Sequence, residues 1–486
     1  MNYKVVLSII GKTLIIVAVL MLLPMVVGII YQENNYLSFV IPIAIALAGG
    51  IPLSCLKSKD NSMYAKEGFV TVSLAWIVLS IIGALPFTIA GEIPNFIDAF
   101  FETVSGFTTT GASILTSGQV DNMSRAHMFW RLFTHWIGGM GILVFVLAIM
   151  PANNAGVMHV FRTESPGPSV GKLSSKLRFT ARILYGIYMA LTALTTIFLL
   201  FGGLPFYDSL LLAFSTAGTG GFGIVGTSAM RYSSYIQVVL AVFMFLFSIN
   251  FNAYFLILIG SFRKVFAIEE VRAFCILVVV ATLAIAIDLT VQASNLFAHF
   301  GEALKHSFFQ VTSISSTTGL TSYDFDKWPS FSKAILMILT IIGACGGSTG
   351  GGIKMSRILI LGKSSASEFK SLIHPRAVVS IHYEGVALDQ KTERNVRTFF
   401  IIWVVAVALS TLLLSLDPFA DLFSDFSATL ACIGNVGPGF GAVGPTCDYS
   451  GYSAFSKIWL SFIMLTGRLE IFPMLMLFVP RTWRKG

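Results

Sequence analysis

Residues 96–113 read FIDAFFETVSGFTTTGAS and residues 206–223 read FYDSLLLAFSTAGTGGFG, two stretches that align without a gap. Asp98 then matches Asp208, Ser105 matches Ser215 and Gly111 matches Gly221. KHSFFQVTSISSTTGLTS brings Gly319 to the same place, and DLFSDFSATLACIGNVGPGF brings Gly437 there. The four glycines stand 110, 98 and 118 residues apart, room for two membrane spans and a loop. One plan recurring at such a period is an architectural signal. The segment before each glycine suits about three helical turns but falls short of the roughly 20 apolar residues that cross a bilayer.

Apolar runs flank each of these stretches. Ten are long enough to span, at 5–30, 37–55, 69–90, 128–150, 181–202, 235–260, 271–291, 334–361, 398–416 and 454–479. Composition agrees: 55% of the 486 residues are hydrophobic and 12% charged, about half the charged share of a soluble domain. The first run lacks a small-residue cleavage site and reads as a retained helix, not a signal peptide. With the N-terminus inside and charges near a span's end counted with the adjoining side (Lys12 inside; Arg131, Asp288 and Lys457 outside), both termini and loops 57–67, 151–182, 261–272 and 354–397 hold 24 Lys/Arg against 9 Asp/Glu, whereas the outer segments hold 7 against 14. That asymmetry predicts cytoplasmic termini and an acidic outer face that concentrates cations. The net charge of +8 is thereby a matter of topology, and nucleic acid is not an expected partner.

These readings predict an all-α polytopic membrane protein with ten transmembrane helices and four re-entrant pore loops. The helices form four M1–P–M2 repeats around a pseudo-fourfold pore, plus two extra N-terminal helices. The expected boundaries are 1–60 for the N-terminal pair, then 61–155, 156–265, 266–365 and 366–486 for the repeats. Non-helical backbone at membrane depth survives only when buried in protein or lining a water-filled cavity. In Thr108-Thr109-Thr110-Gly111 and Ser315-Ser316-Thr317-Thr318-Gly319 the side chains are small and uncharged. A glycine there can adopt φ > 0 and let consecutive carbonyls face one way. Rings of such carbonyls replace the hydration shell of a monovalent cation, whereas a divalent site recruits carboxylates. The acids nearest the first two turns, Asp98, Glu102 and Asp208, lie toward the entering end of the segments. One such turn would serve equally well as tight packing; four in register favour a filter.

Enzyme chemistry finds no support. Gly218, Gly220 and Gly223 fit G-x-G-x-x-G, but no strand precedes them and no acid follows at the required distance. GACGGSTGGG at 343–352 fails as a phosphate loop, because Ile353 separates its last glycine from Lys354. The seven histidines form no H-x₃-H pair. Cys55, Cys275, Cys345, Cys432 and Cys447 are odd in number and show no C-x-x-C spacing. Six glycines in ten residues make a helix costly, at about 0.8–1.0 kcal/mol each relative to alanine. The eighth span is therefore expected to break across Gly343, Ala344, Cys345, Gly346, Gly347, Ser348, Thr349, Gly350, Gly351 and Gly352, as an irregular loop lying across the pore. Arg468, midway along the last span, is costly in lipid by about 2.5–3.5 kcal/mol. It is expected to enter the permeation path below the turns as an electrostatic barrier, with Glu470 turned to a neighbouring span or subunit.

Four such repeats, single glycines at 111, 221, 319 and 437, and an arginine in the last span resemble the Trk/Ktr/HKT superfamily of potassium transporters. The two extra N-terminal spans make the chain most similar to its bacterial TrkH family, over essentially the whole length. The resemblance implies a K⁺ selectivity filter of backbone carbonyls at Thr108, Thr109, Thr110, Gly111, at Gly218, Thr219, Gly220, Gly221, at Ser316, Thr317, Thr318, Gly319 and at Gly434, Asn435, Val436, Gly437. Serine at the first of the four glycines goes with sodium transport in that superfamily, so four glycines imply potassium, with rubidium also passing. The resemblance further implies a gating loop at 343–352, a homodimer in the bacterial inner membrane, and a cytosolic nucleotide-binding ring, TrkA, that docks below. Any nucleotide belongs to that partner, and the basic loops with SPGP (165–168) and HPR (374–376) are candidate docking segments. A K⁺/H⁺ or K⁺/Na⁺ symporter is the alternative within transport, and a membrane-embedded nucleotide-binding enzyme or regulatory subunit the alternative outside it.

Overall fold

The computed structural model describes residues 1–56, 65–141, 177–293, 295–297, 299–375 and 380–483. SPGP, Arg376 and the second half of the expected 128–150 span lie outside those residues. Among the described residues the regular secondary structure is helical, apart from one antiparallel pair, His382–Tyr383 with Val386–Ala387. Among the described residues six helices are long and apolar enough to cross a membrane: Tyr3–Ile30, Asn34–Ser54, Lys66–Ala90, Ala181–Phe201, Glu269–Gln292 and Gln390–Leu414.

Among the described residues three of the ten expected spans are broken. The expected 235–260 span is two helices, Ser234–Ser248 and Phe251–Leu258, bent by 90°. The bend falls at Asn250, whose side chain caps the second helix by accepting from the Asn252 N–H at 3.0 Å. The expected 334–361 span stops at Ile342 and resumes at Met355, broken where its glycines predict. The last one stops at Arg468 and resumes at Phe472, across Glu470 and Ile471 with φ of 60° and 65°. Pro473, near the start of the new helix, has no N–H to continue the old one. Apolar composition marks these segments as buried but is blind to such kinks, so hydropathy overcounts continuous helices.

Four short helices, Phe96–Phe107, Phe206–Ala217, Phe300–Ser315 and Leu422–Ile433, alternate with the long ones. Each packs on the long helix before it and on the second helix of the preceding unit: the second on Arg125–Gly139, the third on Ser234–Ser248, the fourth on Ser330–Ile342. The first packs on Ala454–Arg468 of the last unit, which closes the succession into a circle. At that closure the Lys457 ammonium meets the Asp98 carboxylate at 2.6 Å. Such a pair, drawn largely out of water, fixes register more than it adds stability.

The two N-terminal helices cross by backbone contact. A Cβ on Gly50 would stand 2.9 Å from the Gly11 carbonyl oxygen, and one on Gly11 would stand 2.7 Å from that of Gly50. Small residues at such a crossing let helices approach in lipid, where no hydrophobic force joins them. Gly49, one residue away, has open space on its Cβ side. Gly50→Ala is expected to destabilise the protein by about 1–3 kcal/mol through overpacking. Gly49→Ala should leave it unchanged or slightly firmer. Thermal unfolding of the two variants in detergent separates them, and equal melting temperatures would contradict the crossing.

Candidate functional site

Each short helix ends in the same four-residue turn. Its first residue is right-handed: φ and ψ are −75° and 0° at Thr108, −69° and −11° at Gly218, −77° and −9° at Ser316, −79° and −11° at Gly434. The second is left-handed, with φ of 54° at Thr109, 52° at Thr219, 61° at Thr317 and 54° at Asn435. The fourth is the glycine, at 80°, 85°, 81° and 97° for Gly111, Gly221, Gly319 and Gly437. A β-branched residue at positive φ is a backbone outlier, and three threonines adopt it at equivalent places. Strain of that kind costs about 1–3 kcal/mol per residue and persists only where the surroundings impose it.

What imposes it is the helix end. The N–H groups of Thr108, Thr109 and Thr110 donate to Val104, Gly106 and Ser105 at 2.8–3.1 Å. The other three turns repeat these bonds, Gly220 to Ser215, Thr318 to Ser313 and Val436 to Ala431 among them. The turns spend their donors backward on the helix, and the carbonyls are left over. Among the described residues no donor reaches the carbonyl oxygens of Thr109, Thr110, Gly220, Thr317, Thr318, Asn435 or Val436. Buried carbonyls without a partner are uncommon and call for an explanation.

The turns touch in cyclic order. A Cβ on Gly111 would stand 2.2 Å from the Gly220 carbonyl oxygen, and one on Gly221 would stand 2.0 Å from that of Thr318. One on Gly319 would stand 2.0 Å from Val436 O, and one on Gly437 would stand 2.6 Å from Thr110 O. Each glycine thus abuts the third carbonyl of the next turn, and no side chain fits between. All four glycines line one cavity, which also touches Arg131, Pro438 and Asp448.

The segment 343–352 lies at the other end of the turns. A Cβ on Gly350 would stand 2.6 Å from Ser316 O, and one on Gly351 would stand 2.5 Å from Gly434 O. The Gly351 N–H donates to Thr317 Oγ1 at 2.6 Å. Neighbours hold this segment on every side. Cys345 N–H donates to Ser248 O at 3.1 Å, and Phe251 N–H donates to Gly347 O at 3.0 Å, so the bend at Asn250 cradles it. Glu270 takes the N–H groups of Gly346 at 2.6 Å and Ser356 at 2.9 Å on one oxygen. The Lys354 ammonium donates to Gly350 O.

Arg468 reaches across to the same segment. Its guanidinium donates to Thr349 O at 2.9 Å, to Gly139 O at 2.8 Å and to Gly138 O. Backbone carbonyls of two segments thereby hold it in place. Glu470 pairs with Arg357, whose guanidinium lies 4.2 Å from the Phe399 ring centroid.

Several buried polar residues escape sequence reasoning. Glu102 is 1% exposed and Arg131 3%, in contact at 2.7 Å. His135 donates from Nδ1 to Gly106 O at 2.8 Å and accepts the Phe222 N–H on Nε2 at 3.3 Å, which fastens the chain just beyond the second turn. Glu270 and Lys354 sit near expected span ends, where charge reads as ordinary loop charge. Only their burial sets them apart, and sequence does not carry it. Among the described residues no group of three His, Cys, Asp or Glu side chains could hold a metal ion.

Comparison with known proteins fits this geometry. The family model TrkH, a cation transport protein, matches residues 32–485. The chain is 36% identical to the Trk system potassium uptake protein TrkH of Salmonella typhimurium over the full length of both. It is 31% identical to the Trk system potassium uptake protein TrkG of Escherichia coli, over 96% of this chain and 95% of that one. The crystal structure of the potassium transporter TrkH from Vibrio parahaemolyticus superposes with a TM-score of 0.89 at 33% identity, covering all of both chains. These relatives are transporters and not enzymes. The chain belongs to the TrkH family of cation transport proteins.

Proposed function

We propose that this chain conducts K⁺, and Rb⁺ with it, through the ring formed by its four turns. The observation that carries this reading is the set of buried carbonyl oxygens with no donor, gathered where four turns meet. A dehydrated monovalent cation supplies what they lack. Its passage is passive and channel-like, since the turns hold no titratable side chain to couple a proton. The relatives named for potassium uptake support the choice of ion.

In this reading eight of the ten expected spans and the four re-entrant loops make up the four repeats at 61–155, 156–265, 266–365 and 366–486, after an N-terminal pair at 1–60. Three second helices are then broken spans. The cavity touching the four glycines is the outer mouth, and both termini are cytoplasmic in a bacterial inner membrane. The segment Gly343–Gly352 is the gate, because it presses on the innermost carbonyls of two turns. Arg468 adds positive charge beneath the ring and clasps the gate at Thr349. The protein works as a homodimer, and a TrkA-like cytosolic ring, which alone binds nucleotide, moves the gate.

Purified protein in liposomes is expected to take up ⁸⁶Rb⁺ down its gradient without a proton or sodium gradient. No uptake would overturn the conduction reading. Gly111→Ser must displace the Gly220 carbonyl that a Cβ would meet at 2.2 Å. The K⁺/Na⁺ permeability ratio should fall about tenfold, or about 1.4 kcal/mol of discrimination. An unchanged reversal potential in bilayer recordings would remove the first turn from the filter.

Two further variants address the gate. Deleting Ala344–Gly350 should raise resting flux, and so should Glu270→Ala, which frees the N–H groups of Gly346 and Ser356. Flux assays on folded, monodisperse protein decide it; wild-type or lower flux in both would leave the segment without a gating role.

A further inference from the structure

The junction between the first and second turns differs from the other three. Glu102 lies nine residues before Gly111; the residues at that register in the other repeats are Leu212, Gln310 and Ala428. Only the first repeat places a charge there, and the fold buries it completely. Its carboxylate accepts Ser113 Oγ at 2.9 and 3.1 Å, the Ile114 N–H at 3.0 Å and Arg131 Nε at 2.7 Å. Arg131 in turn donates from Nη2 to Ser113 Oγ and from Nη1 to Gly223 O, both at 3.1 Å. Its guanidinium carbon lies 3.7 Å from the centroid of the Phe222 ring.

Ser113 and Gly223 each stand two residues beyond their turn's glycine. One planar guanidinium therefore holds equivalent points of adjacent strands, at the end where the glycines line the cavity. Beyond the glycines the other junctions are joined by hydrogen bonds, and the Lys457–Asp98 pair between the fourth and first repeats lies at the entering end of the short helix. Thr321 N–H donates to Ser228 Oγ at 3.0 Å between the second and third repeats, and Tyr449 N–H donates to Ser113 O at 2.8 Å between the fourth and first. Gly441 N–H donates to Asp326 at 3.2 Å between the third and fourth.

We propose that the Arg131–Glu102 pair is a positioning element that sets the spacing of the first and second turns, and through it the ring's preference among monovalent cations. The proposal rests on the conduction reading above. A buried pair is a poor source of stability, because desolvation offsets much of the attraction. What it provides here is geometry: a five-donor fork in fixed directions joins the two strands just beyond their glycines, between the His135 bonds at the turns and the Ser117 and Asp121 bonds to Gly226 further on. Arg131 also lines the outer cavity, and the carboxylate beside it cancels a charge that would repel entering cations.

Bi-ionic reversal potentials in planar bilayers test this with purified wild type, Arg131→Lys, Ser113→Ala and the double variant Glu102→Gln/Arg131→Met. Lysine keeps the charge but, with one nitrogen, cannot hold Glu102, Ser113 and Gly223 together. Its K⁺/Na⁺ permeability ratio should fall about tenfold, the scale of one lost charge-assisted hydrogen bond. The double variant leaves no uncompensated charge and should lose as much. Ser113→Ala removes one rung with little risk to folding and should shift the ratio the same way by less. A merely structural role would lower protein yield while surviving molecules kept the wild-type ratio. Wild-type ratios in Ser113→Ala and in whichever charge variant folds would overturn the proposal. Absence of K⁺ current in wild type would instead overturn the conduction reading.

Discussion

A buried carbonyl oxygen without a donor costs about 1–3 kcal/mol, and this fold gathers many of them where four turns meet. Everything around them serves to keep them there. The short helices draw the turn N–H groups backward, which forces threonine and asparagine into left-handed backbone. Close glycine-to-carbonyl contacts then lock each turn against the next. Cyclic packing of the short helices on their neighbours' second helices keeps those contacts from relaxing.

The same constraint explains why the surroundings are more polar than hydropathy suggests. Strands under strain need rigid support, and apolar packing supplies density but little direction. Hydrogen bonds and ion pairs supply direction: His135 behind the second turn, the Tyr449 hydroxyl on Gly437 O at 2.8 Å, and Arg131 with Glu102 between the first two. Below the turns, Glu270, Lys354 and Arg468 do the same for the 343–352 segment. Glu270 is itself linked outward, because Glu384 of the His382–Ala387 hairpin accepts the N–H groups of Glu269 and Glu270 at 3.0 and 3.3 Å. A path of hydrogen bonds thus runs from a surface hairpin to the segment under the ring.

How much of this could be read from the sequence follows from which interactions leave a local mark. The fourfold glycine register is local, and so is the density of glycine at 343–352, where the helix breaks. The positive φ at Thr109, Thr219 and Thr317 leaves no mark, because threonine is a poor choice for it and only tertiary packing enforces it. The breaks at Asn250 and Glu470 are hidden inside apolar runs that read as continuous spans. Arg131 as partner of Glu102, Gly346 of Glu270 and Gly138 of Arg468 lie 29, 76 and 330 residues distant, beyond the reach of any periodicity. Arg468 was legible as a costly charge, but not as a clasp on Gly138, Gly139 and Thr349.

The four turns belong to one chain and not to four copies, and they have drifted apart chemically. Thr108 and Thr110 share a hydroxyl contact of 2.7 Å, as do Ser316 and Thr318. The second and fourth turns carry glycine or valine at those places. In an assembly of identical subunits every mutation strikes all members of a ring at once, and most such changes are ruinous. Here a single codon alters one oxygen in four. Selection can adjust the ring by quarters, so that, on the conduction reading proposed above, intermediate ion preferences lie within one substitution of a working protein.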